Sequence, residues 1–240
     1  MAFPGEGEDD LMADQISALF TLGNMQFLLR GAGMTLLLTV IGCTAGLIGG
    51  FLLAYARGSK GTLAAPLRWG ATAFVEVFRR IPFLVTLFLV LYTAQMVVPR
   101  APLFWVAVVS ICLLCSAYMA EIVRSGMESV PAPQIEAAEV MNFSRWRITW
   151  MIVLPQAWKV ILPSAVSYMV MFVKDTALAS QAGVFELMFA GKALANRGLD
   201  PFLVFATVLF AYFAISWPIA RFGRWLEARL ARRTHEGDRR

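Results

Sequence analysis

Charge is scarce in this sequence, and so are the residues on which most enzyme chemistry runs. Charged residues make up 15% of the 240, against about 25% in an ordinary soluble domain. Histidine occurs once, at His235 in the polar C-terminal tail, which excludes His-based triads and zinc-peptidase motifs. No Gly-rich phosphate loop is present; Gly191-Lys192 lacks the upstream Gly and the following Ser or Thr. The three cysteines, Cys43, Cys112 and Cys115, all lie in apolar stretches. Cys112 and Cys115 share a helix face, but two thiols make a poor metal site when structural zinc takes about four ligands. The reading is therefore no catalytic residue, no metal ligand and no cofactor in this chain. No basic residue precedes Arg30, where a cleavable signal would carry positive charge. The first hydrophobic stretch is expected to remain as the insertion signal.

What is abundant is apolar surface, with 59% of residues hydrophobic. A water-soluble fold of this length has too little interior for it, and a bilayer supplies one. The expected fold class is all-α, a polytopic membrane protein of about five transmembrane helices. A span needs about 20 apolar residues. Candidates are 31–56, 81–99, 101–120, 148–173 and 201–220, the fourth interrupted by Lys159. Pro99-Arg100-Ala101-Pro102 makes a tight hairpin of the second and third. In the first, Gly42, Gly46 and Gly50 recur every four residues beside Ala45 and Gly49, a pattern that lets helix backbones approach closely in lipid. The domain reading is an acidic segment 1–30, a single transmembrane domain 31–222 with a loop at about 125–155, and a basic tail 223–240.

Lysines and arginines set orientation. With the C-terminus inside, sixteen of the 21 fall on cytoplasmic segments and five on the other side. The acidic tail with Glu6, Glu8, Asp9, Asp10 and Asp14 then lies outside. The seven arginines from Arg221 onward read as an orientation signal, not a nucleic-acid site.

The cytoplasmic loop is unusual for a connector. Pro131 and Pro133 open a helix containing Glu136, Ala137 and Ala138, because proline suits a helix start. Glu136 is expected in the first turn, favouring the positive end of the dipole. Asn142 suits a left-handed helix ending, and Ser144 suits the cap of a second helix carrying Arg145 and Arg147 to Leu154-Pro155. The first helix should expose the small Ala137 and Ala138, so that it can seat in a groove on another protein. On pattern alone, a hairpin lying on the bilayer surface is as good a reading.

Glu136-Ala137-Ala138, Asn142, and Ile152-Val153-Leu154-Pro155-Gln156-Ala157 resemble the EAA loop of bacterial ABC importer permeases. Phe74 to Val85, Ala117 to Gly126, Val173 to Leu178 and Gly183 to Leu187 resemble further segments of the same family in order. Together they match its polar amino-acid branch, of the histidine/glutamine/arginine permease type, over roughly Arg30 to Arg232. Two departures stand out. Asn142 replaces the usual Gly, and Arg79-Arg80-Ile81-Pro82 replaces the usual Arg-Gly-Thr-Pro.

The resemblance implies the type I importer permease fold, with the loop as a coupling helix. Residues implied in docking an ATPase are Glu136, Ala137, Ala138, Asn142, Arg145, Leu154 and Pro155. It further implies two ATP-binding subunits holding ATP and Mg, a second permease subunit identical or related, and an extracytoplasmic solute-binding protein. The location is the bacterial inner membrane, with the N-terminus outside and the C-terminus cytoplasmic. Substrates are polar amino acids, with opines, ectoine-like osmolytes or other small zwitterions as alternatives. An ATP-independent channel, a secondary transporter or an intramembrane enzyme is the competing class. Enzymatic activity in this chain is not expected.

Polar groups at membrane depth tend to face the bundle interior or water. Lys174, Asp175, Thr176, Ser180 and Gln181 interrupt the fourth segment and are candidates for a path or gate, with Tyr168 beside them. A structural kink is the other reading. Asp175 next to Lys174 reads as an ion pair or a gate. Glu76, Arg79, Glu121 and Arg124 are expected in ion pairs at the inner interface.

Overall fold

The computed structural model describes residues 6–59 and 61–237, with side chains from residue 12 to residue 230 except at 60. The side chains of Glu6, Glu8, Asp9 and Asp10, Lys60, and the tail from residue 231 with His235 lie outside the described residues. Helices α1 (Glu6–Leu19), α2 (Leu22–Arg57), α3 (Ala65–Arg80), α4 (Phe83–Val97) and α5 (Leu103–Glu128) lead to the loop helix α6 (Ala132–Val140). After it come α7 (Arg145–Ile148), a π-turn (Thr149–Val153), α8 (Leu154–Asp175), a 3₁₀ turn (Thr176–Ala182), α9 (Leu187–Ala195) and α10 (Pro201–Gly237).

Four stretches are long and apolar enough to cross a bilayer: Leu22–Arg57, Leu103–Glu128, Arg145–Ala182 and Pro201–Leu230. The expected span at 81–99 appears as α4, apolar but only 15 residues, or about 22 Å of helix. It is short because Ile81 is extended, at φ −88° and ψ 133°. A residue before proline is pushed out of the helical region, so Pro82 ends α3 and starts α4. Helix α3, which holds Glu76 and Arg79, is not anticipated as a helix by the sequence pattern. The first span begins earlier than expected, with α2 already helical at Leu22, inside the segment read as an acidic tail.

The glycine stripe sets the core. Along α2, Gly42, Gly46, Gly49 and Gly50 lie against Ile111, Cys115, Ser116, Met119 and Ala120 of α5. A Cβ on Gly50 would sit 2.6 Å from the backbone nitrogen of Ala120, so the helices touch backbone to backbone. Around this seam Leu38, Leu87, Ile111, Leu114, Cys115 and Phe172 form one buried cluster. A second cluster, with Leu28, Leu187, Leu194, Val204 and Val208, joins α2, α9 and α10.

The π-turn just before Pro155 has a local cause. Proline has no N–H to bond back one turn and its ring crowds that carbonyl, and the ladder widens there. It marks the point where the loop turns into α8.

Candidate functional site

The loop folds as an elbow. Pro131 caps α6 and proline occupies its first turn. Asn142, at φ 59°, is the one non-glycine residue with positive φ among the described residues. Asn pays less than most side chains for that conformation. The Ser144 hydroxyl accepts from the Arg147 amide at 3.5 Å, capping α7 as its spacing predicts. Glu136 is the fifth residue of α6, not in its first turn, because the helix starts at Ala132. The dipole argument for it therefore lapses.

Exposure sorts the residues expected at the docking face. Glu136, Ala137, Asn142 and Pro155 are exposed, and Leu154 is half-buried. Ala138 is buried, against the expectation that it would be presented outward. It faces the cluster of Val123, Val130, Ile148, Val153 and Ala157, between α6 and the bundle. Val140 and Met141, which the sequence reading passed over, are 88% and 69% exposed. They form an apolar tip beside Glu136 and Ala137. Arg145 turns inward: it donates to the Tyr55 carbonyl at 2.8 Å and lies 4.6 Å over the Tyr55 ring. Trp146 packs edge-on against Tyr55, and Trp150 against Trp146 and Phe51. Gln156 donates to Gln134 at 2.7 Å, tying α8 to α6. The elbow is thus braced from α2, α5 and α8 while its tip stands free.

At the base of the elbow Glu121 gathers three arginines. It receives Arg57 at 2.9 Å, Arg79 at 3.3 Å, and Arg124, which also pairs with Glu128 at 2.6 Å. Glu76 pairs instead with Arg80 at 2.7 Å, and that guanidinium holds its carboxyl below the usual carboxylate range. Arg57, counted in the sequence only as a cytoplasmic positive charge, was not among the expected ion-pair residues. It comes from α2, far away in sequence, and no local spacing signals it.

The interrupted fourth segment is a change of helix type. Helix α8 tightens into the 3₁₀ turn and stops at Gly183, whose φ is 79°. Thr176 and Ser180 are buried and bond back to the carbonyls of Val173 and Ala177. Lys192 of α9 donates to Ser180 at 3.0 Å. Lys174 and Gln181 are exposed and Asp175 is half-buried. No ion pair joins Asp175 to Lys174 among the described residues, because neighbours in a helix point about 100° apart. Tyr168 stacks with Tyr118 and Phe172 at 4.8 and 5.0 Å, and its buried hydroxyl has no partner among the described residues. Tyr168 borders a cavity of about 410 Å³ with Ser164, Ser167 and Met171. Lys174 borders another, of about 650 Å³, with Tyr212 and Ser216. The exposed positions of α8, including Ser164, Ser167, Met171 and Lys174, recur every three or four residues. That period was readable in the sequence and marks one face.

Glu186 is a further residue the sequence reading left without a role. It is fully buried and caps α9 by accepting from the Phe189 amide at 2.7 Å. Tyr212 of α10 donates to it at 2.7 Å, and Thr35 of α2 at 3.4 Å.

Long apolar helices packed glycine to backbone, with a braced elbow standing out at one end, define a multi-span membrane protein. Residues 46–233 match the family described as "binding-protein-dependent transport system inner membrane component". The L-cystine transport system permease protein TcyB of Bacillus subtilis is 32% identical over 203 residues, covering 84% of this chain and 86% of that one. The glutamate transport system permease protein GluD of Corynebacterium glutamicum is 34% identical over 217 residues, covering 86% and 77%. A solved amino acid ABC transporter with histidines superposes with a TM-score of 0.78 at 26% identity, covering 85% of this chain and 94% of its own. An inward-facing MetNI methionine ABC transporter superposes at 0.76 with 23% identity, a likeness of fold.

The chain belongs to the family of binding-protein-dependent transport system inner membrane components. It is a multi-pass inner-membrane permease subunit with the type I ABC importer fold.

Proposed function

We propose that the chain is the permease subunit of an ATP-driven importer for polar amino acids, with the tip of α6 as the docking element for a separate ATPase. The observation that carries this reading is the elbow. Glu136, Ala137, Val140 and Met141 stand exposed on a short helix whose other face is locked into the bundle. An element free at its tip and rigid at its base transmits a push. Two ATPase subunits, a second permease subunit and an external solute-binding protein complete the assembly, with the elbow and C-terminus in the cytoplasm. The amino-acid substrate is supported by relatives named for cystine and glutamate. The exposed face of α8, with Tyr168, Lys174, Asp175 and Gln181 near it, is the candidate path; Thr176 and Ser180 act behind it.

The test is reconstitution with the ATPase and binding protein, measuring ATP hydrolysis against a panel of amino acids. Stimulation by a polar amino acid is expected. Glu136→Lys should assemble in the membrane yet lose the coupling of hydrolysis to uptake. Ligand flux through the chain without nucleotide would sink this reading in favour of a channel.

A further inference from the structure

The arginines at the base of the elbow do more than neutralise Glu121. A cavity of about 470 Å³ opens where the ends of α2, α3 and α5 meet the start of α7. Four arginines line it, Arg57, Arg68, Arg124 and Arg145, together with the carboxylate of Glu128. Even with Glu121 counted behind them, two positive charges are left over.

Hydrogen-bond donors are also left over on three of them, Arg124 being engaged with Glu121 and Glu128. A guanidinium carries about five N–H donors. Among the described residues Arg57 gives one bond to Glu121, Arg68 one to the Ser59 carbonyl, and Arg145 one to the Tyr55 carbonyl. Among the described residues each is thus oriented from behind by a single bond, which leaves the rest of its fork open. Gly58 makes room for this: a Cβ there would lie 2.6 Å from a terminal nitrogen of Arg145.

We propose that this cavity binds a phosphate group, with an anionic phospholipid headgroup as the source its position favours. Several guanidinium forks from different helices suit a multi-oxygen anion, which accepts paired charge-assisted bonds. The volume far exceeds the roughly 10–15 Å³ that a single water needs, so a headgroup with its glycerol fits. The rim is apolar and aromatic. Trp69 lines it and is 70% exposed, with Ala54 and Met127 beside it. Exposed tryptophan marks the headgroup level, and basic pockets between spans on the cytoplasmic side hold anionic headgroups. A phosphate here would bridge α2, α3 and α5 to α7, stiffening the base against which the elbow works. The inference takes only the leaflet from the importer reading, and it is tested by binding, without transport.

The purified chain in detergent is titrated with phosphatidylglycerol, with phosphatidylcholine and with inorganic phosphate, and bound species are counted by native mass spectrometry. Phosphatidylglycerol should be retained over phosphatidylcholine by about tenfold, and Arg68→Gln and Thr72→Glu should each remove most of that preference. Arg80→Gln, an equal loss of charge outside the cavity, should leave it. Thr72→Glu adds a charge at the rim and keeps the test open if Arg68→Gln does not fold. Strong binding of inorganic phosphate, lost in the same variants, would support the anion site and name free phosphate as its source. Equal retention of the two lipids with no phosphate binding, or equal effects of Arg68→Gln and Arg80→Gln, overturns the proposal. So does complete displacement of the lipid by the ATPase subunit, which would assign the cavity to a protein carboxylate.

Discussion

At the scale of single residues, the seam between α2 and α5 separates two glycines that look alike in sequence. A Cβ at Gly49 would meet the Ser116 hydroxyl at 2.5 Å, whereas one at Gly50 would meet the Ala120 backbone at 2.6 Å. A serine rotamer can turn away and a helix backbone cannot. Gly50→Ala should therefore cost about 1–3 kcal/mol by overpacking and lower the unfolding temperature in detergent. Gly49→Ala should cost clearly less; an equal loss would mean the helices are not in backbone contact. Glu186 offers a second test. Glu186→Ala removes the cap of α9 and leaves the Tyr212 hydroxyl unpartnered, at a cost of roughly 2–4 kcal/mol. Glu186→Gln keeps an acceptor and should retain more than half of that stability. The glycine stripe was legible because its period is local. The role of Glu186 was not, because its partners Thr35 and Tyr212 lie on two other helices.

Secondary-structure elements carry the second set of lessons, and the elbow is the clearest. Proline, asparagine and serine each dictate backbone geometry within a few residues. The helix start, the left-handed turn at Asn142 and the Ser144 cap were all legible for that reason. Which face of α6 turns inward was not, since it depends on Val123, Val130 and Val153 elsewhere in the chain. Helix α3 was missed for a different reason: its apolar residues recur on one face of an amphipathic helix and form no long run. Asn142 now gives a discriminating substitution. Asn142→Gly should leave the elbow intact, since glycine enters the left-handed region freely. Asn142→Val should strain it by about 1–2 kcal/mol or more. Measured on the assembled transporter, the glycine variant should keep ATP hydrolysis coupled to uptake and the valine variant should loosen it. Equal coupling in both would show that the turn at Asn142 does not transmit the motion.

At the scale of the whole molecule, two of its bare surfaces differ in chemistry. Helix α10 shows Leu209, Phe210, Phe213 and Trp217, each 48–68% exposed. The open face of α8 shows Ser164, Ser167 and Lys174 among its apolar residues. A lysine facing lipid at mid-membrane costs about 2.5–3.5 kcal/mol on insertion scales, while bare phenylalanines are at home there. The outer side of α10 at Phe210 and Trp217 therefore suits acyl chains, and the polar positions of α8 suit the water-filled path proposed above. Lys174 shares its cavity with Leu209, Tyr212, Phe213 and Ser216 of α10, so the proposed path would run between α8 and α10 on one side and a further surface on the other. Single cysteines in a chain without Cys43, Cys112 and Cys115 separate the cases. In membranes containing the assembled transporter, Ser164→Cys and Ser167→Cys should react with a water-soluble thiol reagent, and ATP should change their rates. Phe210→Cys should react only with a lipid-soluble reagent. Were Phe210→Cys the faster of these in water, the path would have to run along the outer side of α10, and the polar face of α8 would be an interface sealed from solvent.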